Sequence, residues 1–342
     1  MIAKHATGRS NLRIRLFAFA ALSLLAQPVP SARSADFVLK FGTATQNETQ
    51  HQFIKFYKEA LEAASHGRIE VQVYPNSQLG PIPREIEGVQ LGTIQGYIGP
   101  VDFFVGVEPR YGVFSAPMLF RDEANVAATI HDPELQQIIL TMAEPKRLVG
   151  LATLAIGAAD YAAKRPLLRL TDFEGKKLRI NGTELERAKM SRLGASGIAM
   201  PLSEVMPALS QGAIDGTISG LSVFVAFKMN DLVKVITVTN DTMLVSLAVI
   251  SQVWLDKLPP DLRKVVLDTG RTVQPKAQDW QVEFTKQLAN DWTKVGGEIH
   301  MLPPEDLAKM KTLLGTVGDE VTKNQPAMHD LLEKVRAIAA RH

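Results

Sequence analysis

The chain has 342 residues, 46% of them hydrophobic and 22% charged, with 24 Gly, 19 Pro and no Cys. This composition excludes disordered, collagen-like and coiled-coil classes, and the missing cysteine excludes disulfides and cysteine-based metal sites. The formal charge of +2 is unevenly spread: Lys4, Arg9, Arg13, Arg15 and Arg33 lie in residues 1–34, which hold no acid, so 33 basic residues face 36 acidic ones in the remainder. That remainder offers no nucleic-acid-binding face.

Residues 1–34 have the layout of a secretory signal peptide: a basic start, an apolar run from Leu16 to Ala26, then Pro28 and Pro30 before the small-x-small step Ala32-Arg33-Ser34. The mature start is expected near Ala35. An eleven-residue apolar run is too short for the ~20 residues that a spanning helix needs. A lipoprotein anchor would require a cysteine, and Ile14 separates Arg13 from Arg15, so the twin-arginine signal is not met. No later stretch reaches spanning length without charges, and the mature chain is expected to be exported without entering the membrane.

At ~150 residues per domain, the length predicts two domains with apolar cores of their own. Asp36 to Phe41 is rich in strand formers. Residues 49–64 place Phe53, Phe56, Tyr57, Ala60, Leu61 and Ala64 on one helical face, and Gly67 ends that helix. Ile69, Val71 and Val73 alternate with polar residues, which completes a strand–helix–strand unit expected to pair in parallel. A Gly/Pro-punctuated turn then precedes a helix over 84–91 and a strand over 94–98. Further strands are predicted at 148–155, 177–180, 213–218, 233–238 and 244–250. Apolar residues at three- and four-residue steps predict a long helix over 275–295, followed by helices at 304–314 and 327–340. The pattern is α/β, with sheets flanked by helices.

The sequence lacks a G-x-S-x-G elbow, both glycine-rich phosphate loops and an H-E-x-x-H pair, so neither an enzyme mechanism nor a cofactor or metal is expected. The histidines lie among polar neighbours or at helix ends and read as surface residues. The informative segment runs from Leu170 to Leu221, where the strand Lys177–Ile180 opens into a glycine-containing turn and a helix. In an open α/β sheet, ligands bind beyond the carboxyl ends of strands, which places Arg179 where it could grip a carboxylate through two parallel hydrogen bonds. The same residue could instead cap a helix or pair with Glu184 on the surface.

Over residues 37–310 the chain resembles the DctP-type solute-binding proteins of tripartite ATP-independent periplasmic (TRAP) transporters. The matching segments are 67–71 (GRIEV), 74–80 (YPNSQLG), 116–120 (APMLF), 172–179 (DFEGKKLR), 193–195 (LGA), 203–205 (SEV), 208–209 (AL), 212–216 (GAIDG) and 258–259 (LP). The resemblance implies a two-domain periplasmic-binding-protein (Venus flytrap) architecture with crossing strands and a long connecting helix. It places one domain at 35–156 plus 245–284 and the other at 157–244 plus 285–342. The ligand lies between them, and the helix at 275–295 spans both. It also implies capture of a small organic acid, delivery to a small and a large membrane subunit of a TRAP permease, and a periplasmic location. Presentation of the bound form to a signalling receptor is the alternative role.

By the same resemblance, Arg179 holds the position that salt-bridges a ligand carboxylate in the family. Ala159 follows Gly157-Ala158 where some members carry a second arginine, and Ser219 stands where the family has an asparagine. Gly99 and Pro100 replace an acidic residue of the sialic-acid binders, with Phe103 and Phe104 nearby. The expected cleft set is therefore Arg179, Ser219, Tyr161, Phe103, Gly99 and Phe224. The expected ligand is a monocarboxylate or an acid with an apolar or aromatic body.

Overall fold

A computed structural model describes residues 35–342; the expected signal peptide lies outside the described residues. The chain opens with β1 (Phe37–Gly42), α1 (Thr49–Ala64), β2 (Ile69–Tyr74), α2 (Ile82–Leu91) and β3 (Gly96–Pro100). Helices α3 (Glu123–Ile130) and α4 (Pro133–Thr141) precede β4 (Leu148–Ala158) and β5 (Asp160–Ala163). Next come β6 (Lys177–Ile180), α5 (Glu184–Arg192), β7 (Ser196–Ala199), α6 (Leu202–Gln211), β8 (Gly216–Ser219) and α7 (Leu221–Ala226). They are followed by β9 (Val235–Val238), β10 (Met243–Ser251), α8 (Gln252–Leu255), α9 (Pro260–Lys294) and β11 (Glu298–Met301). The chain closes with α10 (Pro304–Leu314), α11 (Val317–Thr322) and α12 (Pro326–Arg341).

These elements form a two-lobed α/β molecule with one sheet in each lobe. The first sheet has the order β2-β1-β3-β10-β4, and the second β11-β9-β5-β8-β6-β7. In the first sheet β1 pairs in parallel with β2 and β3, while β10 runs antiparallel to β3 and β4. The chain passes between sheets at 158–160, from β4 to β5, and returns at 239–242, from β9 to β10. These are the crossing strands.

The first lobe's core forms where alternating residues of β1 meet the apolar face of α1: Phe41 lies edge-on to Tyr57, with centroids 5.6 Å apart. Helix α1 begins at Glu48, whose carboxylate accepts the backbone N–H groups of Gln50 and His51. His51 is buried rather than a surface residue, because its Nδ1 accepts the Asn47 N–H at 3.0 Å. Strand β3 starts two residues later than predicted, since the N–H of Ile94 is taken by the Gly88 carbonyl in the turn that closes α2.

Helix α9 has 35 residues and starts well before the expected 275, running straight through Pro275. Proline removes one hydrogen bond of the helical ladder, but packing against α1 and β4 holds the helix together. Its glutamines also complete the open edge of β4. Gln274 Oε1 accepts the Thr153 N–H at 2.9 Å, and Gln278 bonds both backbone groups of Ala155. Helix α12 packs on α3 and the 3-10 turn Pro109–Ser115, where Asn125 Nδ2 donates to the Ala339 carbonyl at 2.8 Å. The C-terminal helix therefore lies against residues of the first lobe.

Candidate ligand-binding site

The carboxyl ends of the parallel strands converge on one cavity. Thr45 follows β1, Pro100 ends β3 with Asp102 and Phe103 just beyond it, Arg179 lies near the end of β6 with Asn181 just beyond it, Ser219 ends β8, and Thr242 to Val245 join the return crossing to the start of β10. The cavity is small, about 40 Å³. The lobes thus lie close together. Asn181 Nδ2 of the second lobe donates to Asp102 Oδ2 of the first at 2.8 Å.

Arg179 is 2% exposed, so neither surface pairing nor helix capping describes it; Glu184 instead accepts a bond from Gln325. Its Nε donates to the Met200 carbonyl at 3.0 Å and its Nη1 to the Ile218 carbonyl at 3.4 Å. Its Nη2 is buried without a partner. Burial lowers its pKa to about 10, against the opposing influence of Glu186 and Asp102, which act through space. The guanidinium carbon lies 5.7 Å from the centroid of Phe103. A buried cation with one orphaned donor is a costly arrangement, relieved by an anion.

Other charged groups surround it. The 3-10 turn after β3 carries Asp102 into the cavity, where Ser115 Oγ and Asn181 Nδ2 donate to its carboxylate. Burial, and next the Glu186 charge, push the Asp102 carboxyl up to about 7. Helix α5 starts at a capping box: Thr183 Oγ1 accepts the Glu186 N–H, and Glu186 accepts the backbone N–H of Asn181, Gly182 and Thr183. One turn later Lys189, 1% exposed, donates to Asp241 Oδ1 at 3.2 Å and to Thr242 Oγ1 at 3.0 Å. This arrangement can receive an anion at Arg179 and a hydrogen-bond donor at Asp102. Among the described residues no group of three or more His, Cys, Asp or Glu is placed to hold a metal, and no helix is long and apolar enough to cross a membrane.

Of the six residues expected in the cleft, Arg179, Ser219 and Phe103 line this cavity. Tyr161 does not; it is fully buried behind the cleft wall, with its hydroxyl donating to Asp241 Oδ2 at 2.5 Å. Phe224 packs into the second lobe's core beside Trp292, with centroids 6.4 Å apart. Gly99 lies within β3, where a Cβ would come 2.3 Å from the Tyr97 hydroxyl, and its neighbour Pro100 lines the cavity instead. Asp102 supplies an acid two residues beyond Gly99-Pro100, in a lining that is otherwise mostly apolar. Asn181 was within reach of sequence reasoning, since a strand's two-residue period puts it on the same side as Arg179. Glu186 carried a signal too, the T-x-x-E pattern from Thr183.

The model of the bacterial extracellular solute-binding protein family 7, DctP, matches residues 41–325. The C4-dicarboxylate-binding periplasmic protein DctP of Rhodobacter capsulatus is 30% identical over 323 residues, covering 92% of this chain and 95% of that protein. The 2,3-diketo-L-gulonate-binding periplasmic protein YiaO of Escherichia coli is 27% identical over 326 residues, covering 94% of this chain and 95% of its own. A TRAP periplasmic solute-binding protein from Sulfurospirillum deleyianum, solved with bound succinate, superposes with a TM-score of 0.83 at 26% identity, covering 89% of this chain and 99% of that one. Fold, strand-end cavity and family match agree, and the chain belongs to the bacterial extracellular solute-binding proteins of family 7.

Proposed function

We propose that this protein captures a small organic acid in the periplasm and delivers it to the two membrane subunits of a TRAP-type permease, with the acid's carboxylate held by Arg179. The observation that carries this reading is the buried, partnerless Nη2 of Arg179 in the interlobe cavity. The carboxylate-binding relatives support it: the succinate complex and the dicarboxylate and diketo-gulonate proteins each take an acid. An N-terminal signal peptide, removed near Ala35, would route the chain to the periplasm.

The lobes are taken as 35–156 plus 245–284 and 157–244 plus 285–325, with 326–342 returning to the first. The acid meets Arg179, the lobes exclude water, and the lower local dielectric strengthens the ion pair. The ligand's body rests against Phe103 and Phe114, and a donor on it faces Asp102. Mass spectrometry of what co-purifies, followed by a thermal-shift screen of aromatic, hydroxy- and dicarboxylic acids, tests the reading. Stabilisation by acids and not by their amides is expected; equal stabilisation by neutral analogues would overturn it.

A further inference from the structure

A second cavity adjoins the Arg179 cleft, sharing Ile156 and Ser222 with it, and lies at the crossings between the lobes. Its volume is about 180 Å³, and its polar lining is Glu123, Asp160, Ser222, Asn240, Gln281 and Thr285. No basic side chain lines it. Asp160 is 5% exposed, and its Oδ1 is buried with no hydrogen-bond partner. Burial first, and then the charges of Asp241 and Glu123, push its carboxyl well above the ordinary carboxylate range. Burial also raises Glu123. Two carboxyls, one of them buried and unsatisfied, share this lining with neutral hydroxyl and amide groups and lack a positive partner.

We propose that this cavity is a site for a hard cation, with Asp160 and Glu123 supplying the charge, neutral side-chain oxygens adding donors and water completing the shell. Carboxyl, hydroxyl and Asn240 amide oxygens, with no sulfur or imidazole beside them, suit Na⁺, K⁺, Mg²⁺ or Ca²⁺ rather than softer metals, and the volume leaves room for part of the hydration shell. The position gives such an ion leverage on the fold. Asp160 ends the first crossing, Asn240 lies on the return crossing and Gln281 on α9, so three of the interlobe connections contribute to the wall. Gly157, at φ +98°, lets the first crossing turn beside Glu123, whose Oε1 would lie 3.1 Å from a Cβ at that position. An ion held there favours the arrangement of lobes that builds the cavity. Given the function proposed above, ion and organic acid would then raise each other's affinity by the same factor.

Calorimetric titration of the purified protein with the chlorides of these four cations, against choline chloride at matched ionic strength, tests the site without any organic acid. Saturable binding of at least one cation is expected, tenfold or more weaker in Asp160→Asn or in Glu123→Gln. Asp160→Asn replaces an orphaned acid with a neutral isostere and is expected to fold, which circular dichroism checks; Glu123→Gln is the second, half-exposed variant. Arg179→Ala lies outside this cavity and keeps the binding, so a failure of the acid-capture reading and a failure here are read separately. No saturable binding of any of the four, less than tenfold weakening in both carboxyl variants, or equal loss in Arg179→Ala would overturn the proposal.

Discussion

Arg179 carries its charge into the interior at the end of β6 with one donor unsatisfied. Removing one partner of a buried charge pair costs about 3–5 kcal/mol, so Arg179→Ala is expected to weaken acid binding by more than about a hundredfold in calorimetry. Arg179→Lys keeps the charge but loses the planar fork, so it is expected to recover only part of the affinity. Asp102 introduces a pH dependence. Its carboxyl, raised to about 7, is mostly neutral at pH 6 and mostly ionised at pH 8. Affinity for a carboxylate is therefore expected to fall across that interval as like charge builds up in the cleft, and Asp102→Asn to flatten the profile.

At the scale of elements, the capping box of α5 links local structure to the site. Thr183 and Glu186 fix the start of a helix that carries Lys189 into the cleft wall. Thr183→Ala is expected to cost about 1 kcal/mol in denaturant unfolding, the usual loss of an N-cap. Most elements were legible from periodicity: α1, β2 and α10 fall where the spacing of apolar residues puts them. The four-residue strands β5, β7 and β11 were not, because four residues show no period and β5 is buried at every position. Pro275 marked a false helix start for the same kind of reason: local propensity yields when tertiary packing holds the helix on both sides.

For the molecule as a whole, buried carboxyls shape stability. Glu85 lies buried within the first lobe without a side-chain partner, and burial, opposed by the Leu79 backbone N–H, raises its pKa to about 8. Unfolding returns it to about 4.3, so between these values the folded chain binds more protons and stability falls as pH rises. Thermal unfolding between pH 5 and 8 is expected to show that decline, with a shallower slope in Glu85→Gln. Closure belongs to this scale too. A stabilising acid is expected to leave the scattering radius of wild type smaller than without it, and to leave that of Arg179→Ala unchanged.

The order of residues by itself determined the α/β class, the strand end that presents Arg179 and the family resemblance, because periodicity and motif spacing are local properties of the chain. Only the tertiary structure decided which side chains share the cleft. Asp102 and Asn181 meet across two lobes, Tyr161 and Phe224 turn away into packing, and Lys189 finds Asp241 and Thr242 more than fifty residues further along the chain. Burial is a property of how sheets and helices stack, and burial is what leaves the Arg179 guanidinium inside the protein with one donor unpartnered.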